Sequence, residues 1–469
     1  MKNRKAAEVA KDLFDDWKAT TEKHRKLDIY ATGGRSDELF MPSESRDEHA
    51  QLNHMSNGGY GESVVTAVSQ QQYVETHRRA TDESASEVFK RSWNPNGMAA
   101  RQLAIHRGAN ATGQSFCSTL PGRVPGTDLR MPIMRGHSST KMVVFYDRHD
   151  DEFGTWAMEG ERKRRANGEA FFSFRLMDDE KVWQISTQDL SASGKWVVDG
   201  VEMIHDVGVL PVHRFVPRLD LEGRTVGEIE RIIPTLRRLD QDILDRMIVQ
   251  RFGAWRIKYA TGLAKPKTAA ERKAAKMMLS LEHLLISEKS DSKFGTLEPS
   301  PLDGYIKARE ADERVLSVQT QIPAYQLSGT VDNVSAEGLD MMQAGLKQHA
   351  EEIRTSFGQT WDQIMRTNAY MLEGMYPGKG FLDLALDYET TTIWRDTEIR
   401  SLEHAANALG KLSTDLGIPP MVLLRRIPGW TAADQALTES LAGEAGILDE
   451  LRGVLAPLDQ QGATGANAA

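Results

Sequence analysis

The groupings of residues that could do chemistry are few, and each lacks a component. Gly108 to Ser115 reads "GANATGQS", close to the phosphate-loop pattern G-x-x-x-x-G-K-[ST], but Gln114 stands where the lysine must be. That lysine puts a positive charge on the β- and γ-phosphates, and an amide has none to give. The segment follows a helical pattern rather than a strand, so a helix-ending turn is expected. "YDRHDDEFG", 146–154, gathers Asp147, His149, Asp150, Asp151 and Glu152. A hard cation needs oxygens converging from several directions, and a contiguous acidic run after a strand fits a solvated turn better. A metal-dependent nuclease or other hydrolase built on this run is the enzymatic alternative. His49 and His54 are five apart, whereas zinc peptidases need an i, i+4 pair enclosing a glutamate. Neither a G-x-S-x-G elbow nor a dinucleotide-type glycine fingerprint is present. Catalysis therefore has no firm support, and no cofactor or metal is expected.

Cys117 is the single cysteine, which excludes an intrachain disulfide framework or a cysteine-based zinc site. Beside Phe116 it reads as a small buried side chain. A lone cysteine fits a reducing compartment, so the N-x-S sequon at Asn333 is not expected to carry a glycan. Lys258, Lys265, Lys267, Arg272, Lys273 and Lys276 form a basic cluster. It is either a solvated face or an electrostatic docking surface for nucleic acid or an acidic partner.

These residues sit on a chain of 469, too long for one typical core. Charged residues make up 27% and the hydrophobic set 40%, ordinary for a water-exposed fold. No apolar run approaches the ~20 residues that span a bilayer, and the basic N-terminus has no apolar stretch after it, so neither membrane nor leader peptide is expected. Net charge is −9, from 58 basic and 67 acidic residues. A protein that grips DNA by counterion release is usually basic, so any contact with DNA here is local or weak.

The patterning predicts an α+β, mainly helical chain. Residues 1 to about 30, Val64–Tyr73, Ser84–Trp93 and Met98–His106 read as helices. From 112 to 216, runs at 142–146, 171–176, 181–185, 195–204 and 211–216 are β-branched and aromatic, the mark of strands. The Gly/Pro-rich stretch 120–140 has no clear place. Ile229 to Ile248 holds a 3–4 spacing, with Pro234 at a helix start or a kink. A small unit follows, two extended segments ("AWRIKYATGL" and "HLLISEK") flanking a Lys-rich helix. A second helix runs from Leu302 to about Gln319, and the longest from about Ala336 to Met375. "FLDLALDYETTTIW" reads as strand, and 397–415, 418–426 and 431–455 as helices before a small, polar tail expected to be disordered. The small unit is thus carried out on one long helix and back on another. Their apolar stripes must pack on each other or on neighbours, which favours an oligomer over a bundle within one chain.

At this point the sequence resembles the portal proteins of tailed double-stranded DNA bacteriophages, particularly those of long-tailed actinobacterial phages. The residues that carry the likeness are Leu210-Pro211-Val212, then Gly223-Arg224-Thr225-Val226-Gly227-Glu228-Ile229 leading into a long helix, and "FGAWRIKYATG" after it. Further on come "QIPAYQLSGTVDNVSAEGL", the Phe-Gly-x-x-Trp pattern in "SFGQTWDQIMR", and "TTIWRDTEIRSLEHAANALG". The likeness runs from about 20 to 455 and is strongest after 205.

The resemblance implies a portal fold with wing, two-helix stem, small α/β clip, tunnel loop and helical crown. Residues 1–224 and 336–400 correspond to wing, 225–253 and 299–321 to stem helices, 254–298 to clip, 322–335 to tunnel loop and 401–469 to crown. It implies a homo-oligomeric ring, commonly a dodecamer, at one vertex of the virion capsid, assembled in the host cytoplasm. Double-stranded DNA passes through its channel during packaging and ejection. The implied partners are the terminase large subunit, the major capsid and scaffolding proteins, and the head–tail connector or adaptor. Ser328, Thr330, Asp332 and Asn333 of the tunnel loop are expected to face DNA with no Lys or Arg among them. The basic cluster from Lys258 to Lys276 is expected to dock terminase. A helical DNA-binding scaffold that forms no ring is the non-enzymatic alternative.

Overall fold

Four apolar clusters organise the described residues, and the elements are those whose residues fill them. The computed structural model describes residues 6–418 except 36–37, 42–45, 80–85, 125, 150, 165–167, 189–194, 206, 255–257, 262–267, 269–292, 297–300, 330–335 and 396–401, and beyond them residues 423, 427, 437, 438, 440 and 441. Two compact units divide the chain, Met1–Arg395 and Asp396–Ala469. The first opens with α1 (Ala6–Asp12), α2 (Phe14–Ala31), α3 (Arg46–Met55), α4 (Tyr60–Ser69), β1 (Val74–Arg79), α5 (Glu87–Ser92) and α6 (Met98–Thr112). Strands β2 (Ser115–Arg123), β3 (Arg130–Ser138), β4 (Met142–Phe145), β5 (Trp156–Arg164), β6 (Ala170–Met177), β7 (Lys181–Thr187), β8 (Trp196–Ile204) and β9 (Val212–Phe215) follow. Then come α7 (Glu228–Ala254), β10 (Lys258–Thr261), β11 (Lys293–Thr296), α8 (Asp303–Thr320), α9 (Ala324–Ser328), α10 (Ala336–Met375), α11 (Phe381–Ala385) and β12 (Thr390–Trp394). The second unit contributes α12 (Leu402–Leu416).

Helix α6 lies at the centre and is buried on most of its faces. Its buried polar side chains therefore need partners. Gln102 accepts from the Val74 amide at 2.8 Å, and Asn110 donates to Ser69 Oγ at 2.9 Å and to Gln72 Oε1 at 2.8 Å. These bonds fix the turn between α4 and β1. Around α6 the largest cluster gathers Val64, Val68, Ile105, Phe215, Ile232, Leu239, Phe357 and Trp361. Along α10 the buried positions Leu346, Ala350, Ile353, Phe357, Trp361 and Ile364 repeat at three- and four-residue steps, one apolar stripe on a 40-residue helix.

Strand β2 runs between β3 and β9, all antiparallel, while β4 to β8 form an antiparallel meander in chain order. A second cluster, with Val9, Phe14, Trp17, Met158 and Phe174, seats α1 and α2 on the meander. A third, with Phe116, Met142, Val144, Ala157, Val182 and Val212, joins the two sheets.

The mixed, mainly helical character stands as read, and α8 and α10 fall close to their expected bounds. Elsewhere the structure corrects the reading. The unplaced stretch 120–140 belongs to the β2–β3 hairpin, with Pro121 opposite Pro132 in register. Tyr73 is not helical: α4 ends at Ser69, because Asn110 takes Ser69 Oγ and the Gln72 amide. Pro234 is not a helix start, since α7 begins at Glu228, which its buried partners hold. "FLDLALDYETTTIW" is strand only at Thr390–Trp394. Before that, Gly380 in a left-handed conformation opens α11, and Phe381 and Ala385 are buried at the i, i+4 spacing of a helix. The partner of β10 is Lys293–Thr296, whereas "HLLISEK" and the Lys-rich helix lie outside the described residues.

Candidate functional site: the helical pair and the long helix

The entry to the helical pair explains a motif. In Gly223 to Ile229, Gly227 passes against Gly113 at the end of α6: a β-carbon on Gly227 would lie 2.5 Å from Gly113 N and 2.7 Å from the Ala111 carbonyl oxygen. Only two glycines allow backbones so close. The segment that resembled a phosphate loop is thereby accounted for. Gly113 is the left-handed cap of α6, and its role is to admit the start of α7.

Glu228 follows, buried, and accepts from His349 Nε2 at 2.9 Å and Arg231 Nη2 at 2.6 Å. Arg218 Nη2 donates to His349 Nδ1 at 3.0 Å. Because arginine only donates, His349 carries its proton on Nε2. Burial, the largest influence, raises the Glu228 carboxyl, but the His349 hydrogen bond and the neighbouring arginines outweigh it and hold the group below its ordinary value. This cluster ties the start of α7 to α10.

Helices α7 and α8 pack antiparallel. Thr235 Oγ1 donates to Gln319 at 2.8 Å, and farther along Arg238 Nη2 donates to Asp312 at 2.9 Å, so one helix runs up as the other runs down. Tyr60 Oη donates to buried Glu313 at 2.6 Å, and burial followed by that carboxylate raises the phenol. Asp240 accepts from the Gly58 amide at 2.9 Å and pairs with Arg35 at 3.3 Å. The antiparallel β10–β11 pair lies between the two helices in the chain.

After α8, Gln321 adopts a left-handed conformation, φ 59°, and Ser317 Oγ donates to the Ile322 carbonyl at 2.6 Å. Buried Ile322 pins the turn, and Pro323 opens α9, which ends at left-handed Gly329. Of the expected loop residues Ser328 closes α9, half-buried, whereas Thr330, Asp332 and Asn333 lie outside the described residues. Lys258 starts β10, while Lys265, Lys267, Arg272, Lys273 and Lys276 lie outside them too. The two expected sites are thus not seen to meet.

The Phe-Gly-x-x-Trp motif is a packing device. Phe357 stacks on His106 with ring centroids 5.0 Å apart, and Trp361 Nε1 donates to His106 Nε2 at 3.0 Å. His106 Nδ1 then carries the proton and donates to the Gln72 carbonyl at 3.0 Å. Burial depresses this imidazole to about 4. Trp394 of β12 packs beside Gly358, its indole nitrogen 3.6 Å from where a β-carbon would sit, an ordinary contact distance.

One arrangement escaped sequence reasoning because its members come from three strands. Ser118 Oγ lies 2.8 Å from His137 Nε2, and His137 Nδ1 lies 2.9 Å from Glu159 Oε1, which also pairs with Arg175. This is the connectivity of a nucleophile, base and acid. Ser118 is only 2% exposed, however, with strands on either side, so no substrate reaches its oxygen. The chain of bonds ties the two sheets together instead. The acidic run is similarly engaged: Asp151 accepts from the Arg148 amide and Glu152 pairs with Arg366 at 2.7 Å. Among the described residues no group of three or more His, Cys, Asp or Glu is placed to hold a metal ion, and no helix is long and apolar enough to cross a membrane. Cys117 is fully buried beside Phe116.

Comparison with known proteins bears on this architecture. Chains in the virion of a native gene transfer agent particle and in the neck of an empty gene transfer agent particle superpose with TM-scores of 0.43 and 0.45 at 9% identity, each over 84% of this chain and 94% of the other. No curated protein sequence matches the chain. The family model "Phage portal protein, SPP1 Gp6-like" matches residues 71–447, a span that takes in both sheets, the helical pair and the long helix. On that match the chain belongs to the SPP1 Gp6-like family of phage portal proteins, a structural component of the virion.

Proposed function

We propose that copies of this portal protein close into a ring at one capsid vertex, with twelve the expected number, and that genomic DNA enters and leaves through its channel. The observation that carries the reading is the family match over 71–447. Helices α7 and α8 serve as the stem within 225–253 and 299–321, residues 254–298 as the clip, 322–335 as the tunnel loop, and 1–224 with 336–400 as the wing. Residues 401–469 form the crown. The out-and-back course of α7 and α8 around the β10–β11 pair supports this division. So does charge: with a net −9, the ring holds DNA weakly, whereas each phosphate contact from a basic bore adds affinity and slows passage. The ring acts as a conduit and performs no catalysis. Terminase docks on the clip through Lys258, Lys265, Lys267, Arg272, Lys273 and Lys276, and the connector later takes its place. Ser328, Thr330, Asp332 and Asn333 face the DNA. Negative-stain images of the purified protein test the ring: closed rings are expected, and persistent monomers or open filaments under all conditions overturn it. Reversing Lys265 and Lys267 to Glu should weaken terminase docking and leave rings intact; unchanged docking removes the role given to them.

A further inference from the structure

A groove of about 760 Å³ lies between α2, α4, α6 and the β2–β3 hairpin, away from the helical pair. Its floor is made of small residues: Ala31, Ala104, Gly108 and Ala111. Arg101 and Arg107 of α6 and Arg135 of β3 line it, all exposed, and none of the three makes an ion pair or side-chain hydrogen bond among the described residues. Asp28 and Glu62 line it as well.

The β3 side of the groove is an open sheet edge. Strand β3 pairs with β2 alone. Its even-numbered residues turn their backbone groups outward, because Asn96 donates to the Pro132 carbonyl at 2.8 Å and accepts from the Met134 amide at 3.1 Å. Across the pair, the amide of Thr119 points away from β3 to the Pro211 carbonyl, which agrees with that phase. Asn96 thus covers the edge at 132 and 134. At Gly136 and Ser138, which line the groove and are exposed, no side chain covers the outward positions among the described residues; the Ser138 carbonyl accepts from the Lys141 amide at 3.0 Å, which leaves both backbone groups of Gly136 and the Ser138 amide open. An uncovered strand edge is a template for another strand.

We propose that this groove docks an extended, acidic segment of a partner protein, which adds as a strand to β3 at Gly136 and Ser138. Alternate side chains of such a strand reach opposite sides. Carboxylates on the side facing α6 meet Arg101 and Arg107 beside the small-residue floor, and Arg135 stands on the other side of the strand edge. Asp28 and Glu62 disfavour a segment that is acidic on both sides. The inference stands on the edge and the charges, and it holds or fails independently of the ring.

The test selects a displayed library of random peptides of about eight residues on the full-length protein, with counter-selection on the R101E/R107E/R135E variant. Peptides with acidic residues at alternate positions should be enriched. Their affinity should fall roughly tenfold or more on the variant, and amide exchange at Gly136 and Ser138 should slow when they bind. Enrichment without acidic character, survival of the counter-selection, or unchanged exchange at both amides overturns the proposal. A photo-crosslinker on R107C distinguishes the occupant. It attaches there alone, because the single native cysteine, Cys117, is buried with its thiol pushed up to about 12. Crosslinks to an enriched peptide support the partner reading, whereas crosslinks between copies of this chain that exclude the peptide overturn it in favour of a self-interface.

Discussion

Two buried histidine clusters grip the long helix α10, and they are built on opposite principles. Near its middle, His106 is closed in by Phe357, Trp361 and Phe215, and its two ring nitrogens meet the Gln72 carbonyl and the Trp361 indole. No carboxylate reaches it, so burial holds it neutral. Nearer the helix start, His349 bridges Glu228 and Arg218, and the cluster keeps its carboxylate charged. Its arginines stay about a third exposed, Arg218 at 30% and Arg231 at 32%. What separates the two sites is the route to water. A sealed pocket tolerates a polar group only in its neutral form, whereas a pocket whose cations reach solvent can hold an ion.

The contrast can be broken at either end. Trp361→Ala removes the central ring of the neutral cluster and leaves His106 Nε2 without its donor; a loss of about 4 kcal/mol in denaturant unfolding is expected. An unchanged midpoint would refute the central role given to Trp361. Acid comes next in size. His106 titrates near 6.5 when unfolded and at about 4 when folded, so between those values the unfolded chain takes up a proton that the native state refuses. Stability falls as pH drops through that window, by up to about 3 kcal/mol for this group. His213, held at about 3 by burial and then by the Arg366 charge, adds to the same slope. His106→Gln should flatten the slope measurably.

Glu228→Gln works in the other direction. The folded carboxyl lies below its ordinary value of 4.5, so its contribution is full above that pH and fades only below it. The substitution should cost about 2 kcal/mol at neutral pH, discounted because the arginines stay about a third exposed. It should leave the slope between pH 6.5 and 4.5 as it was. A changed slope there would mean that the two clusters titrate together. Gly227→Ala forces a β-carbon into Gly113 and should cost about 2 kcal/mol, read as a lowered Tm; a variant as stable as the parent would show that the crossing yields easily. The smallest effect belongs to the surface of the helical pair. Arg238→Ala breaks the exposed pair with Asp312 for less than about 1 kcal/mol, and raising the salt concentration should erase that difference.

The motifs that made the family recognisable turn out to be packing and crossing devices. Gly227 allows a backbone crossing, Glu228 anchors a helix, and Phe357 and Trp361 enclose a histidine. Such residues identify a fold because few alternatives fit the same space. The expected contact residues have no such signature. A polar contact surface is under no packing constraint that sequence spacing would display. The groove beside β3 was not legible for a related reason. Its arginines are scattered over 101, 107 and 135, and only the fold brings them to one groove.

By itself, the sequence determined the local order: the apolar stripe of α10, the out-and-back helices, the strand runs of β4, β6, β7 and β8 but not β5, the lack of a complete catalytic motif and the family likeness. These follow from side-chain periodicity and backbone preference, which act over a few residues. Tertiary structure alone decided the rest. It put Gly113 against Gly227, set His106 under Trp361 and Glu228 against His349, turned the Gly/Pro-rich stretch 120–140 into a hairpin, and left β3 open at Gly136. Each of these joins residues far apart in the chain. Their energies come from burial and from the matching of donors to acceptors, which exist only once the chain has closed on itself.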